Sequence, residues 1–121
     1  MNEYATENVR NVILVGHGSS GKTSLAEALL HATGATTRLG SVEDGTAVAD
    51  FEEDERTRRI SINTALVACE YDGIKINLLD TPGFTDFVGE VKSAMRVADA
   101  AVILVDAVAG VEVGTQLIWD F

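Results

Sequence analysis

Apolar residues fall along this chain in short blocks separated by glycines and charges. Asn11-Val-Ile-Leu-Val15 is apolar without alternation and runs into Gly16, the pattern of a strand buried on both faces. Leu25, Ala28, Leu29 and Ala32 then recur at helical spacing from Lys22 to Thr33, with Gly34 just beyond as a stop. This predicts a first helix with that stripe turned inward. From Ile60 to Tyr71 the chain alternates through Ile62, Thr64, Leu66 and Ala68, Asp72-Gly73 is a hairpin signal, and Ile74 to Leu79 is the return strand, so the two should pair antiparallel. Phe87, Val91, Ala94, Met95 and Ala98 mark one face of a helix from Asp86 to Ala98, and Ala100-Ala-Val-Ile-Leu-Val105 reads as a further core strand. Val113, Leu117, Ile118 and Phe121 open another helix, with no cap or closing glycine at its C-terminal end.

No period holds from Gly34 to Arg59. Gly34, Gly40 and Gly45 interrupt the segment, and the acidic run Asp50, Glu52, Glu53, Asp54, Glu55 meets Arg56, Arg58 and Arg59. A long loop is expected, and loops beyond about 12 to 15 residues inside compact domains are usually functional or disordered, so both a solvated insertion and a functional loop stand open. Helices alternating with buried strands imply an α/β fold in which the Asn11 strand lies between the Ile74 and Ala100 strands, all parallel. The Ile60 strand should be antiparallel at one edge. The Ala100 strand is apolar on both faces, yet no strand follows it, so residues 9–121 read as an incomplete domain, truncated at its C-terminal side, behind a tail of residues 1–8. Such an open edge can pair with another chain, which leaves an interaction or aggregation-prone piece as one possible reading.

Composition narrows the classes. A chain of 121 residues holds one compact domain at most, and 46% hydrophobic with 23% charged residues is too apolar for a disordered chain. A domain of this size buries roughly 65% of its unfolded surface, enough to fold without staples if its sheet is complete. One cysteine, Cys69, excludes an internal disulfide and a zinc cluster, and is expected to be a small core residue in a reducing compartment. Residues 1–8 carry two glutamates and no apolar core, and no apolar run approaches the ~18 residues of a membrane span, so a cytoplasmic protein without a membrane partner is expected. The net charge of −10 argues against direct nucleic-acid binding. It does not exclude one bound nucleotide, because charges beyond the ~8 Å Debye length are largely screened.

Two motifs carry chemistry. Gly16-His17-Gly18-Ser19-Ser20-Gly21-Lys22-Thr23 matches G-x-x-x-x-G-K-[ST], follows a predicted strand and opens a predicted helix, with Ser24 next in line. Glycines let the backbone wrap a phosphate with its N–H donors, the helix N-terminus adds partial positive charge, Lys22 reaches the terminal phosphates, and the Thr23 hydroxyl is placed to ligate Mg²⁺. Asp80-Thr-Pro-Gly83 closes the return strand, putting a carboxylate where ligands of open α/β sheets sit. Alone it is a turn; after the phosphate loop, Asp80 can hold Mg²⁺ through water, and Gly83 can bring its N–H to a γ-phosphate. His17 reads as a loop-shaping residue rather than a base, His31 as surface, Asp106 as a turn or supporting residue, and Trp119 as helix packing.

Together these residues resemble the translational GTPases, most closely the elongation factor G family and its elongation factor G-like members. The likeness extends through Arg59-Ile-Ser-Ile62, Asp86-Phe-Val-Gly-Glu-Val91, Ser93-Ala-Met-Arg-Val-Ala-Asp99 and Val105-Asp-Ala-Val-Ala-Gly-Val-Glu112, nearly the whole chain from Asn8 onward. The resemblance implies a three-layer P-loop domain that binds GTP and GDP with Mg²⁺ and couples hydrolysis to the ribosome. It further implies a first switch over about 34–62, a second over about 80–98, and Ser61 as a metal ligand beside Thr23 and Asp80. Guanine specificity rests on resemblance alone, since the family's N-K-x-D segment does not occur in these 121 residues.

Departures from the family pattern matter. Ser61 stands where a threonine is usual and keeps the hydroxyl, Arg59 stands where a glycine is usual, and Ser19 where aspartate is frequent. Phe84 follows Gly83, where the family places a histidine that orients the attacking water. Such groups contribute roughly 10²- to 10⁴-fold, about 3 to 5 kcal/mol, so slow intrinsic hydrolysis is expected with Lys22 supplying charge stabilisation and Gly83 a backbone donor. The alternatives are that Phe84 packs on the following helix while another group positions the water, or that the chain is a nucleotide-gated ribosome-binding module with little hydrolysis.

Overall fold

The computed structural model describes residues 2–83 and 85–121. The role assigned to Phe84 therefore lies outside the described residues. Among the described residues four strands form one sheet: β1 (Val9–Gly16), β2 (Ala65–Tyr71), β3 (Ile74–Asp80) and β4 (Ala100–Leu104), in the order β2-β3-β1-β4. β1 is parallel to β3 and β4, with Leu14 opposite Asp80 and Val102, and β2 is antiparallel to β3. This is the expected topology. Asp72 and Gly73 both have positive φ (51° and 77°), the conformation a tight two-residue hairpin needs to follow strand twist.

The helices are α1 (Lys22–Ala32), α2 (Glu53–Arg58), α3 (Val88–Met95) and α4 (Val113–Trp119). Alternate residues of β1 face opposite sides, giving three layers. Ile13 and Val15 pack with Leu79, Val91, Ala94 and Ile118 on the α3 and α4 side. Leu78, Cys69 and Leu30, with half-buried Val12, Val67 and Ile76, form the core on the α1 side. Cys69 is thus the core residue expected.

Four sequence expectations are corrected. On α1 the buried residues are Lys22, Thr23, Ala26, Glu27 and Leu30, while Ala28 and Ala32 are exposed, so the inward face is rotated from the Leu25, Ala28, Leu29, Ala32 stripe. The physical cause is that this face serves two partners, the sheet through Leu30 and the following loop through Thr23 and Glu27. Second, Ile60 to Thr64 is not strand; β2 begins at Ala65, and its inward residues are Ala65 and Cys69, whereas Leu66 is 67% exposed. Leu66 pairs with Leu79 and shares the α3 and α4 face, but at the β2 edge those helices do not cover it.

Third, the long loop contains a helix, α2, whose six residues are all polar or charged. Its N-terminus is held by a reciprocal capping box between Glu52 and Glu55 rather than by an apolar stripe. α4 too begins in a capping box, with the Glu112 side chain and Thr115 satisfying each other's backbone N–H groups. Fourth, Trp119 is 72% exposed and is not helix packing. β4 is the sheet edge opposite β2, and Ala100, Ala101 and Val102 are exposed there.

Candidate nucleotide-binding site

The phosphate loop connects β1 to α1, so its backbone turns at the C-terminal ends of the parallel strands. Gly21 takes φ +94° at the α1 N-cap, and no side chain caps the helix, which leaves its first N–H groups free to donate to an anion. Lys22 is nearly fully buried; its Nζ donates to the carbonyls of Gly16 at 3.1 Å and His17 at 2.8 Å, with Ser20 Oγ at 3.5 Å. Burial pulls the Lys22 ammonium below the ordinary lysine range, against an opposing pull from the Asp80 carboxylate. Gly83 closes the far side: a Cβ there would lie 2.5 Å from Lys22 Nζ and 2.6 Å from the Gly18 nitrogen, so only glycine permits this approach.

Beside the lysine, three distant segments meet. Thr23 Oγ1 donates to Asp80 Oδ2 at 2.6 Å, Ser61 Oγ donates to Asp50 Oδ1 at 2.8 Å, and the two hydroxyl oxygens stand 3.2 Å apart. With each hydroxyl proton turned to a carboxylate, the oxygens present lone pairs to one another. Asp80 Oδ1 is buried with no hydrogen-bond partner among the described residues. Burial raises the Asp80 carboxyl from 3.8 to about 6, against the lowering effects of the Thr23 hydroxyl and Lys22. Burial likewise raises Asp50, moderated by its bond from Ser61. Facing lone pairs, an orphaned carboxylate oxygen and a second carboxylate fit a hard divalent cation, which takes oxygen ligands and resolves the repulsion. Among the described residues no three His, Cys, Asp or Glu side chains form a metal cage.

A cleft of about 270 Å³ lies over this cluster, between the phosphate loop, including Ser19 and Ser24, and a wall of Val42, Asp50, Arg59 and Ser61. Arg59, at the C-cap of α2, sits in the left-handed region at φ +57°, the conformation the family's glycine would adopt without strain. His17 turns away from the cleft: its Nδ1 accepts the Gly114 N–H at 3.2 Å and its Nε2 lies 3.6 Å from Glu112 Oε1, so it shapes the loop against α4. His31 is exposed, and Asp106 Oδ1 accepts the Val108 and Ala109 N–H groups at 2.7 and 2.9 Å as a turn residue.

Sequence reasoning missed Asp50 and Thr81. Thr81 is fully buried and donates to the Leu14 carbonyl at 2.7 Å, anchoring the start of the Asp80–Gly83 turn to β1. Its place within D-T-P-G was visible and its role was not. Asp50 lay in an acidic run that gave no signal distinguishing it from the exposed Glu52, Glu53 and Asp54.

Residues 7–121 match the family model described as the elongation factor Tu GTP binding domain. The chain belongs to this family of translational GTPases. Among the family's members, an elongation factor G-like protein of Mycobacterium tuberculosis is 49% identical over 93% of this chain and 16% of its own length. An elongation factor G 2 of Streptomyces coelicolor is 48% identical over 92% of this chain, again 16% of its own. A crystal structure of a protein from Thermus thermophilus superposes with a TM-score of 0.89 at 47% identity, covering 92% of this chain and 17% of that one. The chain thus spans about one sixth of the length of these relatives, within the elongation factor G branch of the translational GTPases. None of the helices among the described residues is long and apolar enough to cross a membrane.

Proposed function

We propose that this chain binds GTP and GDP with Mg²⁺ through the Gly16–Ser24 loop, and that in translation it hydrolyses GTP in association with the ribosome. The observation that carries the reading is the meeting of Thr23, Ser61 and Asp80, from three separate segments, with the two hydroxyl oxygens 3.2 Å apart and a buried carboxylate oxygen that has no partner among the described residues, beside Lys22. In this reading the uncapped α1 N-terminus and the Gly18–Gly21 backbone donate to phosphate oxygens, and Lys22 shifts from loop carbonyls to the β/γ-phosphates. Thr23 and Ser61 hold the cation directly, Asp80 through water, and Gly83 supplies an N–H. A bound Mg²⁺ neutralises charge developing on the transferred phosphoryl group. Residues 34–62 act as the first switch and 80–98 as the second, both released when the γ-phosphate leaves. The relatives named as elongation factors support the ribosome as partner.

A second reading rests on Phe84, which has no group able to orient water by hydrogen bonding. It makes the chain a nucleotide-gated ribosome-binding module with little intrinsic hydrolysis. Single-turnover GTP hydrolysis with and without ribosomes separates the two. Ribosome-stimulated cleavage supports the enzyme, and ribosome binding that needs GTP but leaves it intact supports the module.

A further inference from the structure

One buried carboxylate takes no part in the site above. Glu27 lies on α1 one turn beyond Thr23, on the same face of the helix, and is 1% exposed. Burying a carboxylate is costly unless each oxygen is satisfied. Both are, by backbone donors from the loop that walls the cleft. Oε2 accepts the Gly40 N–H at 3.1 Å and Oε1 accepts the Val48 N–H at 2.5 Å. The fit is tight from the loop side as well. A Cβ on Gly40 would collide with Glu27 Oε2 and lie 2.7 Å from the Thr46 carbonyl, so glycine is required for the carboxylate to reach the loop.

The remainder of the loop is tied into the same body. Glu55, fully buried, accepts the N–H groups of Ile62 and Asn63 at 2.9 and 3.0 Å, and Ala47, Ala49 and Asp50 are buried as well. Asp50 then receives Ser61. The chain of contacts runs from α1 through Glu27 to residues 40–48, and on through Asp50 to the hydroxyl that faces Thr23.

We propose that Glu27 is a positioning residue: a two-pronged clamp on α1 that holds residues 40–50 against the phosphate pocket and thereby sets Asp50 and Ser61 in register with Thr23. The clamp explains why a full carboxylate is buried at this place. An amide has one acceptor oxygen, so a glutamine would satisfy one loop N–H and turn its own N–H₂ against the other. The link from clamp to nucleotide retention rests on the nucleotide-binding reading above. The clamp itself does not.

Hydrogen–deuterium exchange, read by mass spectrometry on the whole chain, tests the clamp from both sides with Glu27→Gln and Gly40→Ala. Both variants should speed exchange over residues 38–50 about tenfold, the loss of a bond to a charged acceptor, while β1 and β3 exchange as in the unsubstituted chain. With Mg²⁺ present, both should also release a fluorescent GDP analogue about tenfold faster. Unchanged loop exchange in Gly40→Ala would overturn the clamp, as would acceleration spread equally over β1 and β3, which would mark Glu27 as a general fold residue. Faster loop exchange with unchanged GDP release would overturn its role in retention. An unsubstituted chain that binds no GDP at all would refute the nucleotide reading, and loop exchange would still decide the clamp.

Discussion

Replacing Asp80 with asparagine should make the ligand-free chain more stable and its Mg²⁺-nucleotide complex weaker. The carboxyl is raised from 3.8 to about 6 because it is buried, with Oδ1 lacking a partner among the described residues. A group whose folded value lies above its unfolded one favours the folded state fully below the unfolded value, and that stability is lost as pH rises through the folded value. For Asp80 the window runs from about pH 4 to about 6, and the shift corresponds to about 3 kcal/mol. An asparagine in its place would carry no charge and could still accept the Thr23 hydroxyl, but its amide N–H₂ would take on a burial cost of about 1–2 kcal/mol. Asp80→Asn should therefore gain on the order of 1–2 kcal/mol at pH 8 in EDTA, an advantage that shrinks as pH falls toward 5. Urea unfolding of both chains at pH 5, 6, 7 and 8 reads this. A stability difference that stays constant across the window, or a less stable variant at pH 8, would refute the reasoning. With Mg²⁺ and GDP the ranking should reverse, because the variant would lose the carboxylate proposed to hold the ion through water.

Arg59→Gly should stabilise the chain by about 0.5–1 kcal/mol in thermal unfolding, since Arg59 holds a left-handed φ of +57° that glycine adopts without strain. Leu66→Thr should change stability by less than about 0.5 kcal/mol, because Leu66 is 67% exposed, whereas Ala65→Thr, adding atoms at a 3% exposed site, should cost about 1–3 kcal/mol by the same measurement. Phe84→His should raise single-turnover GTP hydrolysis roughly 10²-fold or more. An unchanged rate would mean that another group orients the water.

The sheet was legible because β1 and β4 are apolar blocks, and because Asp72-Gly73 admits one kind of turn and so placed β3 as a return strand. The phosphate loop and Asp80-Thr-Pro-Gly83 were legible because bringing backbone donors and a carboxylate to strand ends takes particular residues at particular spacings. β2 was misread in phase because Ile60, Ile62 and Leu66 suggest one alternation, while the strand starts only at Ala65 and turns its small residues inward. α2 was invisible to hydrophobic periodicity, since a capping box and one buried glutamate hold its six polar residues. Glu27 and Asp50 were hidden for a related reason. A carboxylate is expected in solvent, and only folding brings Gly40, Val48 and Ser61 to these two. Ser61 entered the site through family resemblance, not through any local signal.

Lys22, Thr23, Ser61 and Asp80 are proposed to form a phosphate and Mg²⁺ site. Calorimetric titration of the chain with Mg²⁺-GDP and Mg²⁺-ADP, beside Lys22→Ala and with circular dichroism to verify folding, tests it most directly. The chain should bind nucleotide, and Lys22→Ala should abolish that binding while EDTA weakens it. A folded chain that takes up neither nucleotide, or one that binds GDP equally well without Lys22, would contradict it.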